Sequence, residues 1–205
     1  PALRAVVPHP DAVRGARGPM SSPAVRSLLV TVACMGAGFG SLDVAVVAFA
    51  EAQGGRPSTG AVLLAVWSLG SIAGGLAYGV VHSQVPHERQ IVLLVAFLAV
   101  GSALPVLAPS TLLMGVLLVL YGSTIAPYSA CNSVLLGRSA PAGTVTEAFA
   151  WSGSAIFGGA ALGNVASGWV VDHASVRAAL VLPALTGALG LVATITTRRG
   201  LASPA

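Results

Sequence analysis

Apolar residues in this chain gather into six long runs that are separated by short polar breaks. Most of the runs reach the roughly 20 apolar residues that a helix needs to cross a bilayer. Backbone groups in lipid must be satisfied within their own segment, so each run is predicted to be a transmembrane helix, antiparallel to its neighbours. The expected fold class is an all-α membrane protein, a six-transmembrane-helix bundle. The predicted spans 1 to 6 cover residues 27–50, 59–81, 90–107, 111–136, 146–171 and 176–195.

The composition agrees with a chain whose main solvent is lipid. Of the 205 residues, 55% are hydrophobic and 8% are charged, and the mean hydropathy is +0.87. A soluble domain carries about 25% charged residues, so this chain lacks the charged side chains that cover a globular surface. The composition therefore argues against a soluble enzyme. It also argues against disorder, which requires low hydrophobicity and high charge.

The arginines orient the predicted helices. The formal net charge is +4 and the sequence pI is about 9.8, values that in a soluble protein suggest a nucleic-acid partner. Here the arginines flank the apolar runs, so we expect no nucleic acid and the lipid bilayer as the surroundings. With six crossings, Arg56 and Arg177 fall on one side. Eight arginines fall on the other side: Arg4, Arg14, Arg17, Arg26, Arg89, Arg138, Arg198 and Arg199.

This excess of arginine predicts a multi-pass protein of the cell membrane with both termini in the cytoplasm. Residues 1–24 are rich in Pro, Gly and Arg and lack periodicity. They are predicted to be a disordered cytoplasmic tail or linker. Residues 25–198 are predicted to form the transmembrane domain, and residues 199–205 a cytoplasmic C-terminal tail.

Polar and aromatic residues are shared unevenly among the spans. All Trp and Tyr residues lie in spans 2, 4 and 5, and the only acid deep within a span is Asp43 of span 1. Spans 3 and 6 are nearly plain Leu, Val and Ala. Because polar groups in membranes face a bundle interior or a water-filled cavity, spans 1, 2, 4 and 5 are predicted to form an inner set. Spans 3 and 6 are predicted to face lipid.

Helical spacing places many of these side chains in stripes that are candidates for lining a substrate cavity. Ordinary helix packing through Ser, Thr and Asn is the alternative interpretation. In span 5, Gly159, Gly163 and Ser167 face away from the polar stripe, so this helix is expected to pack closely on that side. Pro127 is expected to kink span 4. The cavity candidates are Trp67, Ser71, Tyr121, Thr124, Tyr128, Asn132, Trp151, Ser154 and, about 100° away from the Trp151 stripe, Asn164.

Two acids are candidates for coupling transport to protons. Asp43 lies about 25 Å along span 1 from its start, where burying a carboxylate costs about 2.5–3.5 kcal/mol. A carboxylate there either accepts a proton or binds a cation, or it is hydrogen-bonded to a neighbouring helix or reaches outward. Glu147 follows Thr144 by three residues, a spacing that favours a capping box at the start of span 5 over a proton role.

The chain shows no signature of an enzyme or of a cofactor site. It contains no GxSxG motif, no phosphate-binding loop and no cluster of His and Cys at metal-ligand spacing. Cys34 and Cys131 both lie within apolar runs and are interpreted as small buried residues. We therefore predict that the protein is not an enzyme and uses no metal or other cofactor.

Several segments resemble the C-terminal half of actinobacterial major facilitator superfamily transporters. The resemblance covers about residues 25–198, and by it spans 1–6 correspond to helices seven to twelve of the family. Its segments are APY at 126–128, LGR at 136–138, EAFAW at 147–151, GGAALG at 158–163 and GWVVD at 168–172.

The resemblance implies a secondary active transporter that moves a small molecule by alternating access between two six-helix halves. It implies export or uptake of that molecule, coupled to protons, and the expected activity is proton-coupled efflux by antiport. It also implies a partner, an N-terminal six-helix half on the same full-length chain or on another chain. The alternative function is a non-transporting membrane scaffold or assembly subunit.

Overall fold

A computed structural model of the protein describes residues 18–80 and 85–201. Every regular element within these two ranges is helical, with short 3₁₀ turns at Pro19–Ser21 and Leu104–Leu107. The eight α-helices are α1 (Pro23–Ala52), α2 (Pro57–Val80), α3 (His87–Ala103), α4 (Thr111–Gly122), α5 (Ile125–Ser139), α6 (Val145–His173), α7 (Val176–Ala179) and α8 (Leu182–Leu201).

These helices form six segments that are long and apolar enough to cross a membrane, which confirms the predicted fold class. Spans 1, 2, 3 and 5 contain α1, α2, α3 and α6, whereas spans 4 and 6 are each divided into two helices. The first helix begins at Pro23, two residues before the predicted start of the domain, and the last continues to Leu201. Residues 1–17 and 202–205 of the two predicted tails lie outside the described residues.

Proline explains both divisions. A proline removes the hydrogen bond to the carbonyl four residues earlier and its ring clashes with that carbonyl. Pro127 acts in this way on Ser123, and the break between α4 and α5 falls at Ser123 and Thr124, so the predicted kink is confirmed. Pro183 acts on the carbonyl of Ala179, where α7 ends, a break that the sequence interpretation did not include.

The first helix is the centre of the bundle, and its closest partner is α6. A side chain at Gly36 or Gly40 would overlap the backbone carbonyl of Ile156 or Ala160 on α6. The contact is reciprocal, because a side chain at Gly159 or Gly163 would overlap backbone carbonyls of α1. Small residues allow two helix backbones to approach in this way, and such close packing holds helices together in lipid.

A buried hydrogen bond adds to this contact. The hydroxyl of Ser167 on α6 donates to the backbone carbonyl of Ser41 on α1 across 2.8 Å. Gly159, Gly163 and Ser167 are all buried, whereas Glu147 and Trp151 on the same helix are exposed. The prediction that this helix packs closely on its glycine side is therefore confirmed.

The third and eighth helices pack against each other on another side of the bundle. Between α8 and α1, the hydroxyls of Thr194 and Thr31 are hydrogen-bonded at 3.0 Å, and both residues are buried. The large hydrophobic residues that α3 and α8 leave exposed are Leu93, Phe97, Val100, Leu185, Leu189, Val192 and Ile195, a surface suited to lipid.

Neighbouring glycines of α6 offer a matched test of the central contact. We expect Gly159→Ala to lower the free energy of unfolding by about 1–3 kcal/mol, because the added methyl group overpacks the contact with α1. Gly158→Ala should leave it unchanged or raise it by up to about 1 kcal/mol, because nothing lies within 4 Å of a methyl group there. Thermal unfolding in detergent, followed by tryptophan fluorescence, measures both variants. Equal effects at the two positions would contradict the backbone contact.

Candidate functional site: a groove between the first two spans

The second and sixth helices flank α1 and leave most of their surface open. In the most apolar 18-residue stretch of each span, 56% of the residues of α1 are buried. The corresponding share is 17% in α2 and 17% in α6. The open surface of α6 includes Glu147, Ser154 and Asn164, which are poorly suited to lipid. The face formed by α2, α1 and α6 is named here the open face, and it combines these polar residues with exposed large hydrophobic side chains such as Leu69, Phe157 and Leu162.

A hollow of about 500 Å³ lies where α1, α2 and α5 meet. Its volume falls in the range of small-molecule sites, about 300–1,000 Å³. The hydroxyl of Ser68 donates to the carbonyl of Leu64 on its own helix at 3.0 Å, which leaves its lone pairs available to a ligand. Side chains that line the hollow include Phe39 from α1, Trp67, Ser68 and Ser71 from α2, and Ile125 from α5.

A second hollow, of about 520 Å³, lies further along the same two helices and contains Asp43. Phe39 of the first hollow and Asp43 of the second are four residues apart on α1, and Trp67 and Leu64 are three apart on α2. Residues at these spacings lie on one face of a helix. The two hollows therefore follow one another along the helices, and together they are named the α1–α2 groove.

Asp43 is half-buried and lies nine residues, or about 14 Å, before the end of α1. Within the part of the chain that the structure describes, its carboxylate has no hydrogen bond and no ion pair. It lies close enough to Tyr121 of α4 for an electrostatic interaction. The described residues therefore do not form the alternative arrangement, in which a neighbouring helix holds Asp43 by a hydrogen bond.

Aromatic rings join the groove to the interior. Trp67 packs edge-on against Phe39, with ring centroids 5.4 Å apart, and its other neighbour is Tyr121 at 5.7 Å. Tyr121 is 2% exposed and lies behind the groove. Of the predicted cavity residues, the structure thus brings Trp67 and Ser71 into the groove, with Tyr121 packed behind them.

Two of the three remaining candidates of span 4 are buried inside the bundle, and Thr124 is partly buried. Tyr128 and Asn132 are 3% and 6% exposed, and Tyr128 Oη and Asn132 Oδ1 have no hydrogen-bond partner among the described residues. The hydroxyl of Thr124 donates to the carbonyl of Tyr121 at 2.8 Å. None of these three residues lines the α1–α2 groove.

The candidates of span 5 lie apart from the groove, on the open face. Trp151, Ser154 and Asn164 are exposed. The capping interpretation of Glu147 is wrong, because Thr144 makes no side-chain cap and its hydroxyl instead donates to the carbonyl of Pro141 at 2.8 Å. Glu147 accepts a hydrogen bond from the indole N–H of Trp151 at 3.4 Å.

Sequence reasoning identified Asp43 of α1 but missed the other groove residues of this helix. Phe39, Asp43, Val47 and Glu51 recur every four residues on this helix, and all four line the groove. The signal was this four-residue spacing around the mid-span acid Asp43, but the apolar members of the set resemble any other packed positions. Ser68 was also missed, although it is one residue from Trp67.

The described residues contain no group of three or more His, Cys, Asp or Glu that could hold a metal ion. Cys34 and Cys131 are free thiols in this part of the structure. The Cys131 thiol donates to the backbone carbonyl of His87 at 3.6 Å, so it joins α5 to α3.

Six apolar spans held together by glycine-mediated helix contacts define the chain as a multi-pass membrane protein. Residues 28–204 match the family model of the Major Facilitator Superfamily, and the chain belongs to this family, as a six-helix half. Members of the family are transporters and not enzymes. A search of curated proteins found no match to the chain.

The unpaired state of Asp43 has a consequence for stability. Asp43→Asn should leave the free energy of unfolding unchanged or raise it by about 1 kcal/mol, because it removes a charge that has no partner in a largely apolar setting. Ser167→Ala, which removes the buried hydrogen bond to Ser41, should lower it by about 1 kcal/mol. Thermal unfolding in detergent compares the two variants. A loss in Asp43→Asn as large as that in Ser167→Ala would mean that Asp43 supports the fold.

Proposed function

We propose that this domain is half of a secondary active transporter that exports a small molecule across the cytoplasmic membrane in exchange for protons. The observation that carries the proposal is Asp43, an unpaired carboxylate within an apolar span, in a groove wide enough for a small molecule. The family match supports transport as the general activity. The direction and the coupling to protons are parts of the proposal.

The chemistry of Asp43 suits proton exchange. A carboxylate in an apolar setting is costly when charged and much less costly when protonated. Because no side chain of the described residues neutralises it, a proton or a cationic or hydrogen-bonding ligand group is left to do so. Competition between proton and ligand for one carboxylate couples the two movements in opposite directions. Glu147 is the weaker candidate, because it is exposed near the start of α6, outside the groove.

The neighbouring hollow supplies the recognition surface in this proposal. Phe39, one helical turn from the acid, and Trp67 offer aromatic rings, and Ser68 and Ser71 of α2 offer hydroxyl groups. Rings with a few polar groups are typical of small-molecule sites. The open face would receive the second six-helix half, so that the substrate is enclosed between two halves that alternate between inward and outward opening. The arginine distribution supports a cell-membrane location with both termini in the cytoplasm.

Proton exchange is tested with the full-length product of the reading frame in everted membrane vesicles. Ethidium and a panel of other small aromatic compounds are added, and a pH-sensitive dye reports proton release from the vesicles. We expect Asp43→Asn to reduce substrate-induced proton release at least tenfold, because its amide cannot exchange a proton. Asp172→Asn is the matched control, since it removes an exposed acid at the end of α6, outside the groove, and it should retain activity within about twofold.

Undiminished proton release from Asp43→Asn would contradict the role of Asp43. A folded wild-type protein that moves neither protons nor any compound of the panel would favour the non-transporting scaffold.

A further inference from the structure

A crevice separates the beginning of α1 from the end of α8, away from the α1–α2 groove. Its volume is about 330 Å³, and it is lined by Pro23, Arg26, Ser27, Val30, Ala193 and Thr196. Arg26 directly precedes the first apolar run. The crevice therefore lies where the bilayer interior meets its polar surface.

The polarity of the crevice changes along its length. Arg26 and Thr196 contribute the polar end, and Val30 and Ala193 lie about one helical turn deeper, since α1 enters the apolar region as α8 leaves it. Val30 is 52% exposed, so the deeper wall is open to hydrocarbon. A molecule with a polar group attached to an acyl chain matches this change from a polar to an apolar wall.

The charge at the polar end favours an anion. Arg26 is exposed and forms no ion pair within residues 18–80 and 85–201. Glu88 and Glu147, the acids near this end of the bundle, lie on α3 and α6 and do not line the crevice. The hydroxyl of Thr196 donates to carbonyls of its own helix at 2.9 and 3.0 Å, so the guanidinium is the charged donor that the described lining residues offer to a ligand.

We propose that this crevice binds an anionic phospholipid, with its phosphate on Arg26 and an acyl chain against Val30 and Ala193. Guanidinium groups recognise phosphate oxygens through charge-assisted, often paired hydrogen bonds, and basic pockets between transmembrane helices bind anionic headgroups. The site faces lipid rather than the groove, so it stands whether or not Asp43 exchanges protons.

The test measures binding of phosphatidylglycerol to the purified full chain in detergent, by native mass spectrometry and by the rise in melting temperature. Phosphatidylcholine and inorganic phosphate are added in parallel. We expect phosphatidylglycerol alone to bind and to stabilise the protein. Arg26→Gln should bind it about five- to tenfold more weakly, and Val30→Trp, which fills the crevice and keeps the charge, should also weaken binding.

Arg138→Gln and Arg56→Gln are the matched controls. Arg138 is an exposed arginine on the same predicted side of the membrane, and Arg56 is one on the opposite side. Both variants should bind phosphatidylglycerol within about twofold of wild type. Equal losses in Arg26→Gln and Arg138→Gln would show diffuse charge attraction and overturn the site. Unchanged binding by Arg26→Gln, equal binding of phosphatidylcholine, or equal stabilisation by inorganic phosphate would overturn it as well.

Discussion

The close contact between the backbones of α1 and α6 is the interaction on which the rest of the structure depends. Lipid offers no hydrophobic force to bring helices together, so van der Waals contact and hydrogen bonds must do so. Gly36 and Gly40 face Gly159 and Gly163 across this contact, where even a methyl group would overlap backbone. Asp43 lies three residues beyond Gly40, so the contact that fixes α1 also fixes the position of the groove's only mid-span acid.

Hydropathy and proline chemistry predicted most of the fold. The six spans, the break before Pro127 and the close-packed side of α6 follow from properties local to each segment. The break before Pro183 has the same physical cause as the break before Pro127, but it was not predicted. The prediction of a cap at Thr144 was wrong because its hydroxyl donates instead to the carbonyl of Pro141. No sequence pattern specifies such a competing acceptor.

The candidate site was harder to predict, and span 4 shows why. The spacing of Tyr121, Tyr128 and Asn132 suggests one face only if the helix is continuous. The break at Ser123 and Thr124 divides that face, so Tyr121 packs behind the groove while Tyr128 and Asn132 lie elsewhere in the bundle. Periodicity also identifies which residues share a face without saying what that face meets. The sequence therefore could not distinguish a stripe that stays exposed, as on α6, from residues that line the groove beside α1.

Two surfaces of the domain differ in the polar side chains that they carry. The surface of α3 and α8 is hydrocarbon-like, with Arg26 and its crevice at one margin. The open face carries the groove, Asp43 and the exposed polar residues of α6.

Cysteine accessibility tests this division most directly, in full-length protein whose Cys34 and Cys131 are replaced by alanine. A single cysteine is placed at Ser71 in the groove or at Leu189 on the exposed surface of α8, and membranes are treated with a water-soluble maleimide. Thiols react when water allows them to ionise, so Ser71→Cys should be labelled and Leu189→Cys should not. Equal labelling at the two positions, or labelling at Leu189→Cys alone, would contradict a water-accessible groove at Ser71 and a lipid-covered surface at Leu189.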